Sequence, residues 1–180
     1  PNRLSIDMKA DRAILMADGN AFTLKAAWLH GAPAPGLKAD VTASFYPAST
    51  SFDGFSEYSF SNPERSVESS DQLVWEGTLD SASQARFSIN LNAGDNLPGK
   101  LKAILATRVF EPSGAFSVEQ AQYAFSPYSR YVGLRLPKGD AARGMLLTDT
   151  KHRVELAVLD AEGKPVQQDV ALSVSVYKLE

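Results

Sequence analysis

Residues 21–27 and 38–45 alternate with period two on either side of a stretch that no strand can cross. In the first run Phe22, Leu24 and Ala26 share one parity, and Thr23 and Lys25 take the other. In the second, Ala39, Val41, Ala43 and Phe45 oppose Lys38, Asp40, Thr42 and Ser44. Side chains of a strand point alternately to its two faces, so each run reads as a strand with one face buried. Between them lies Trp28-Leu29-His30-Gly31-Ala32-Pro33-Ala34-Pro35-Gly36-Leu37. Proline has no amide hydrogen to give to a ladder, and glycine tolerates backbone angles that end one. The chain must turn here, and the strands that follow must close around this pair.

The same period recurs along the chain. Residues 3–10 set Leu4, Ile6 and Met8 against Ser5, Asp7 and Lys9, and a short apolar piece at 13–16 precedes the turn Asp18-Gly19-Asn20. Strands are expected near Leu73, Trp75 and residues 77–79, and over 86–92, where Phe87, Ile89 and Leu91 alternate. Residues 100–110 carry Leu101, Ala103, Leu105, Thr107 and Val109 on one parity, then turn at Glu111-Pro112-Ser113-Gly114. The return strand faces inward either through Phe116 and Val118 or through Tyr123 and Phe125. Trp28, ending the first strand on its apolar parity, reads as buried against the opposite sheet, and Trp75 reads as core.

After Tyr128 the pattern restarts, with strands expected at 131–136, 144–148, 152–160 and 170–177. Val154, Leu156 and Val158 form one apolar face and Val170, Leu172, Val174 and Val176 another. No 3.6-residue period persists for ten residues. The fold expected is all-β: one antiparallel β-sandwich over residues 1–127, then the opening strands of a second sandwich over 128–180. About nine strands precede Tyr128 and about four follow, with turns roughly every 8–12 residues, as in sandwich proteins. The part after Pro127 is about half the roughly 100 residues of an Ig-like sandwich, so the second domain reads as truncated and one of its apolar faces lacks a cover.

Much chemistry is excluded by what the chain is made of. Its 180 residues include no cysteine, which rules out disulfides, a thiolate zinc site, a cysteine nucleophile and a thioester. Net charge is -3, with no basic excess to track phosphates, so nucleic acid is not an expected partner. No apolar run has membrane length, and no direct membrane contact is expected from this segment. The chain opens on Pro1 without a methionine and reads as an excised piece, while Leu179-Glu180 reads equally as native sequence or a cloning remnant.

His30 and His152 are the only histidines, and neither has a second ligand at metal-binding spacing. Both read as exposed loop residues. Glu64, Glu68 and Asp71 lack the spacing of a calcium loop and read as a solvated face. There is no Gly-x-Ser-x-Gly, Ser-x-x-Lys or phosphate loop. No catalytic, metal or cofactor-binding residue is assigned. Residues 48–71 are irregular, with a short strand expected at 57–61 and a solvated polar loop at 64–71. Four aromatics crowd this stretch: Phe52, Phe55, Tyr58 and Phe60. They read either as a sugar- or partner-binding surface or as a loop folded back to plug one end of the sandwich.

One resemblance spans nearly the whole chain. A strand ending in Trp28-Leu29, the turn Gly31-Ala32-Pro33-Ala34, and Gly36-Leu37-Lys38 opening the next strand resemble the macroglobulin-type domains of bacterial alpha-2-macroglobulins. Phe52 with Tyr58-Ser59-Phe60 and Asn62-Pro63 is similar to that family's Phe…Tyr-x-Phe-x-Asp/Asn-Pro segment. Leu79-Asp80 before Ala85-Arg86-Phe87 also fits. Val109-Phe110-Glu111-Pro112-Ser113-Gly114 fits with Ser113 in place of a usual glycine. Ser126-Pro127-Tyr128, Tyr131-Val132-Gly133 and residues 160–166 carry the likeness onward. The resemblance implies a macroglobulin, Ig-like sandwich with a structural, non-enzymatic role in a broad-spectrum protease inhibitor. In that family a scaffold of such domains carries a bait region whose cleavage closes the molecule on the protease, and many members carry a Cys-x-Glu-Gln thioester. It further implies neighbouring macroglobulin domains of the same parent chain as partners, and target proteases only through the parent. The implied location is the periplasm, with the parent an inner-membrane lipoprotein, or outside the cell. Two other classes share the architecture: a carbohydrate-binding or accessory module of a secreted enzyme, and an Ig-like adhesin stalk.

Overall fold

The structure, a computed structural model, describes residues 2–177; Pro1 and Lys178-Leu179-Glu180 lie outside the described residues. Ten strands are present in it: β1 (Leu4–Ala10), β2 (Ile14–Met16), β3 (Asn20–Trp28), β4 (Lys38–Pro47), β5 (Gln72–Thr78), β6 (Gln84–Ile89), β7 (Leu101–Phe110), β8 (Phe116–Ser126), β9 (Arg130–Arg135) and β10 (Glu155–Asp160). They form a three-stranded sheet ordered β1-β3-β6, a five-stranded sheet ordered β2-β8-β7-β4-β5, and a separate β9–β10 pair. The first two sheets face each other as a sandwich and bury one cluster. No helix occurs among the described residues.

β3 and β4 do not pair with each other; they sit in opposite sheets. The Gly/Pro stretch between them is a crossover. It first turns tightly, with Gly31 N–H donating to the Trp28 carbonyl at 2.7 Å and a bridge at Ala27–Pro33. It then docks on the far strand through Gly36 N–H to the Leu79 carbonyl, 3.0 Å. The buried parity is as expected: Phe22, Leu24 and Ala26 from β3 meet Ala39, Val41, Ala43 and Phe45 from β4. β7 lies between β4 and β8 and buries Leu101, Ala103, Leu105, Thr107 and Val109 in strict alternation.

The N-terminal strand splits between the sheets. β1 pairs with β3, then the chain breaks at Asp11–Ala13 and β2 runs beside β8 in parallel, the one parallel pair among the described residues of a sandwich expected to be antiparallel throughout. Asn20 makes the crossing possible. It is wholly buried; its side chain accepts from Met16 N–H at 2.9 Å and donates to the carbonyls of Met16 and Ile89. A buried amide is tolerated only when its partners are supplied, and here they tie two sheets together. Ser117 does similar work at the other end, its Oγ accepting from the amides of Arg3 and Leu4.

Several expectations change. Trp28 keeps the apolar parity but lies at the sandwich end, so it is only half-buried, its ring stacked on His30 at 6.3 Å. Trp75 is also half-buried and bridges the open edge between the sheets, 3.9 Å from Phe87. Leu73 is 57% exposed, because a register irregularity opposite Val41/Thr42 breaks the parity of β5. On β8 the inward set is Tyr123 and Phe125, while Phe116 and Val118 lie outside. Among the described residues, eight strands rather than about nine precede Tyr128. Two follow, because residues 144–148 and 170–177 have no strand pairing, and 57–61 contributes a single bridge at Ser59. The apolar face expected to lack a cover, Val154, Leu156 and Val158, is exposed at Val154 and Leu156 and half-buried at Val158.

Burial depth ranks the aromatic sites. Phe45 is 1% exposed and 5.0 Å from Phe125. Phe45→Ala should cost about 3–5 kcal/mol, the range for emptying a buried aromatic site. Trp28→Ala should cost clearly less. Urea denaturation with unchanged m-values checks the order; equal losses would mean that Trp28 is buried after all.

Candidate functional site

The aromatic stretch leaves β4 at Pro47 and is pinned at its base by Thr50, whose Oγ1 accepts from Lys100 N–H at 2.8 Å. Two successive turns, Phe55 N–H to the Phe52 carbonyl and Tyr58 N–H to the Phe55 carbonyl, both 3.0 Å, coil the segment so that its rings gather on one side. Phe52 and Phe60 meet edge to face at 4.8 Å, and each is 7% exposed. Phe55 and Tyr58 pack beside them, half-buried. The cluster is completed from the far part of the chain by Tyr131 of β9, and by Leu159 and Ala161 at the end of β10. The rings therefore neither form a free stacking surface nor plug the sandwich alone; they fill the space between the sandwich and the β9–β10 pair.

Polar groups close the rim. Tyr131 OH lies 2.6 Å from Ser126 Oγ, which donates to the Tyr128 carbonyl, so the phenol is the donor to serine. Burial pushes the Tyr131 phenol up. Tyr128 OH donates to the Leu97 carbonyl at 2.9 Å. The Lys100 ammonium sits 3.9 Å above the Phe52 ring; burial lowers its pKa, and Asp160 offsets part of that. An ammonium over an aromatic face is attracted by the ring quadrupole. On the opposite rim, Arg135 binds Glu57 at 2.8 Å and Glu155 at 2.5 Å, and its guanidinium lies 5.4 Å from the Tyr58 ring. Tyr58 OH donates to Glu155 at 3.2 Å. Grooves of about 630 Å³, lined by Arg12, Met16, Asp160 and Glu162, and about 590 Å³, lined by Glu57, Arg135, Lys138 and Arg153, flank the junction.

His30 and His152 are exposed and lie in separate parts of the chain, the first on Trp28 and the second against the Leu147 carbonyl. Glu64, Glu68 and Asp71 are exposed, and no group of three acidic or histidine residues is arranged to hold a metal among the described residues. Tyr131 entered the sequence reading only through the family resemblance; Lys100, Arg135, Glu155 and Leu159 were not singled out. Their only signal there was membership of strands, which says that a residue is on a face and not what it meets.

The profile of the bacterial alpha-2-macroglobulin MG5 domain matches residues 2–127. No curated protein matches the chain. Among solved structures it is similar to Escherichia coli alpha-2-macroglobulin activated by porcine elastase, at 18% identity and a TM-score of 0.54, over 91% of this chain and 14% of that one. A mutant Salmonella alpha-2-macroglobulin gives 19% and 0.56, over 92% and 11%. Trypsin-activated Escherichia coli alpha-2-macroglobulin gives 15% and 0.56, over 92% and 12%. At such identities the likeness is one of fold, and the chain spans only 11–14% of these relatives' length.

The rim has a pH signature. Arg135, and then Tyr58, hold the Glu155 carboxyl below the ordinary glutamate range. A depressed carboxylate contributes stability that is complete above its unfolded pKa and is lost as pH falls through the folded value. The stability difference between the parent chain and Glu155→Gln should therefore be present at pH 7 and close as pH falls below about 4.3. Denaturation midpoints across that range check it; a difference that persists unchanged at pH 3 contradicts the role given to Glu155.

Proposed function

The chain belongs to the bacterial alpha-2-macroglobulin MG5 domain family, and from that premise we propose that it is a scaffold segment of a broad-spectrum protease inhibitor that carries the domain following it. The observation that carries this reading is the family match over residues 2–127, joined to a junction that seats residues 128–161 on the end of that sandwich. Two of the similar structures are of alpha-2-macroglobulins activated by elastase and by trypsin, which supports a protease-responsive parent. In this reading residues 1–127 are one macroglobulin domain, and 128–180 open a second. The outward ladder of Val132, Leu134 and Leu156, each 38–47% exposed, awaits that second domain's remaining strands. The segment acts through neighbouring macroglobulin domains of its parent and meets proteases only through it. It has no catalytic role and takes no cofactor. The parent works in the periplasm as an inner-membrane lipoprotein. A carbohydrate-binding role fits poorly, since stacking on a sugar needs a free ring face and the junction covers Phe52 and Phe60.

The test compares this chain with its parent protein. With trypsin or elastase, the parent should suppress cleavage of a large protein substrate while a small chromogenic peptide is still cut. The isolated chain should protect neither substrate. Protection by the chain alone, or a parent without effect on either protease, overturns the reading.

A further inference from the structure

Two of the kinds of contact between the aromatic segment and the β9–β10 pair demand a fixed geometry. The first is backbone. Ser59 N–H donates to the Leu134 carbonyl at 2.9 Å and Leu134 N–H donates back to Ser59 at 3.0 Å, so Ser59 forms an antiparallel bridge with β9. Leu134 pairs on its other side with Leu156, and beyond β10 the chain returns to bridge Leu159 with Pro165. The loop thus lends the two-stranded sheet a third member. The second kind is steric. A Cβ placed on Gly133 would stand 2.3 Å from the Phe60 ring, and one on Gly163 would stand 2.8 Å from the Phe52 ring. Real Cβ atoms do not approach so closely, so each ring occupies space that only glycine leaves open. The two glycines lie on different backbone stretches, one in β9 and one in the turn after β10. Two seats and a pair of hydrogen bonds restrain rotation as well as translation.

We propose that residues 52–60 are a rigid coupling: Phe60 on Gly133, Phe52 on Gly163 and the Ser59–Leu134 bridge lock the β9–β10 pair in one orientation to the sandwich, so that a displacement of either is passed to the other. The coupling deepens the scaffold reading but rests on contacts alone. A protein with no effect on proteases would sink that reading and leave the coupling standing.

The chain has no cysteine, so Ser88→Cys on β6 and Val132→Cys on the outward face of β9 give two unique spin-label sites on the full chain. Double electron–electron resonance should show one narrow distance distribution. Adding Gly133→Val should broaden it, while amide protection in β4 and β7 is retained. Phe60→Ala should broaden it too, and Gly133→Val on top of Phe60→Ala should add little, because the ring that the valine would strike is gone. A distribution that is broad from the start, or that stays narrow with Gly133→Val, overturns the proposal. If Gly133→Val does not fold, Phe60→Ala decides alone, and a narrow distribution there is a refutation.

Discussion

A two-stranded sheet is marginal in water unless a third strand or a packed face supports it, and this constraint governs the part of the chain beyond Pro127. β9 and β10 are joined by a connection of mostly exposed residues that must be closed at an entropic cost. What offsets that cost is borrowed from the sandwich: the backbone of Ser59 and the rings of Phe52 and Phe60. The inner face of the pair sets small residues, Gly133 opposite Ala157, next to Tyr131 opposite Leu159. The aromatic segment supplies the volume that the small residues lack. Apart from Leu159, the aliphatic side chains of the two strands lie on the other face, with Val132, Leu134 and Leu156 exposed.

The sandwich can lend these groups because its own interior is closed without them. Its larger sheet is centred on β7, which buries alternate residues along its whole length between β4 and β8. The two sheets are pinned by buried polar groups whose hydrogen bonds are complete, Asn20 at one place and Ser117 at another. A ladder of rings, Trp75, Phe87, Phe22 and Tyr123, crosses from the β5 edge to β8. The segment 48–63 therefore holds a junction rather than a core, and a domain with that division of labour suits a scaffold in a multi-domain chain.

Alternation made the sandwich legible in the sequence. Phe22, Leu24, Ala39, Val41, Leu105 and Val109 sit where period two places them, because a strand with one buried face cannot slip by a residue without exposing its core. The same signal failed where parity is not enough. It located strands on both sides of the Gly/Pro stretch but not the crossover that sends them to different sheets. It could not show the irregularity that exposes Leu73, nor that Ile14–Met16 runs parallel to β8, since both depend on register with distant strands. At β10 it marked the two faces, and the face it left without a cover is the one exposed at Leu156. It could not show that the opposite face, with Ala157 beside Gly133 and Leu159 beside Tyr131, is the one that meets the aromatic rings. The junction itself was visible only as a crowd of aromatics, because its partners lie about seventy or more residues away in sequence.

Amide hydrogen exchange on the full chain tests the coupling most directly, at the two amides that form the bridge. Ser59 lies in an irregular loop and Leu134 in a strand, so with nothing linking them their protection would differ widely. If the junction opens as one unit, Ser59 and Leu134 should share the same opening free energy, with Phe60→Ala lowering both together and leaving Leu105 unchanged. Rapid exchange at Ser59 beside strong protection at Leu134 would show that the loop only rests on β9 and does not hold it.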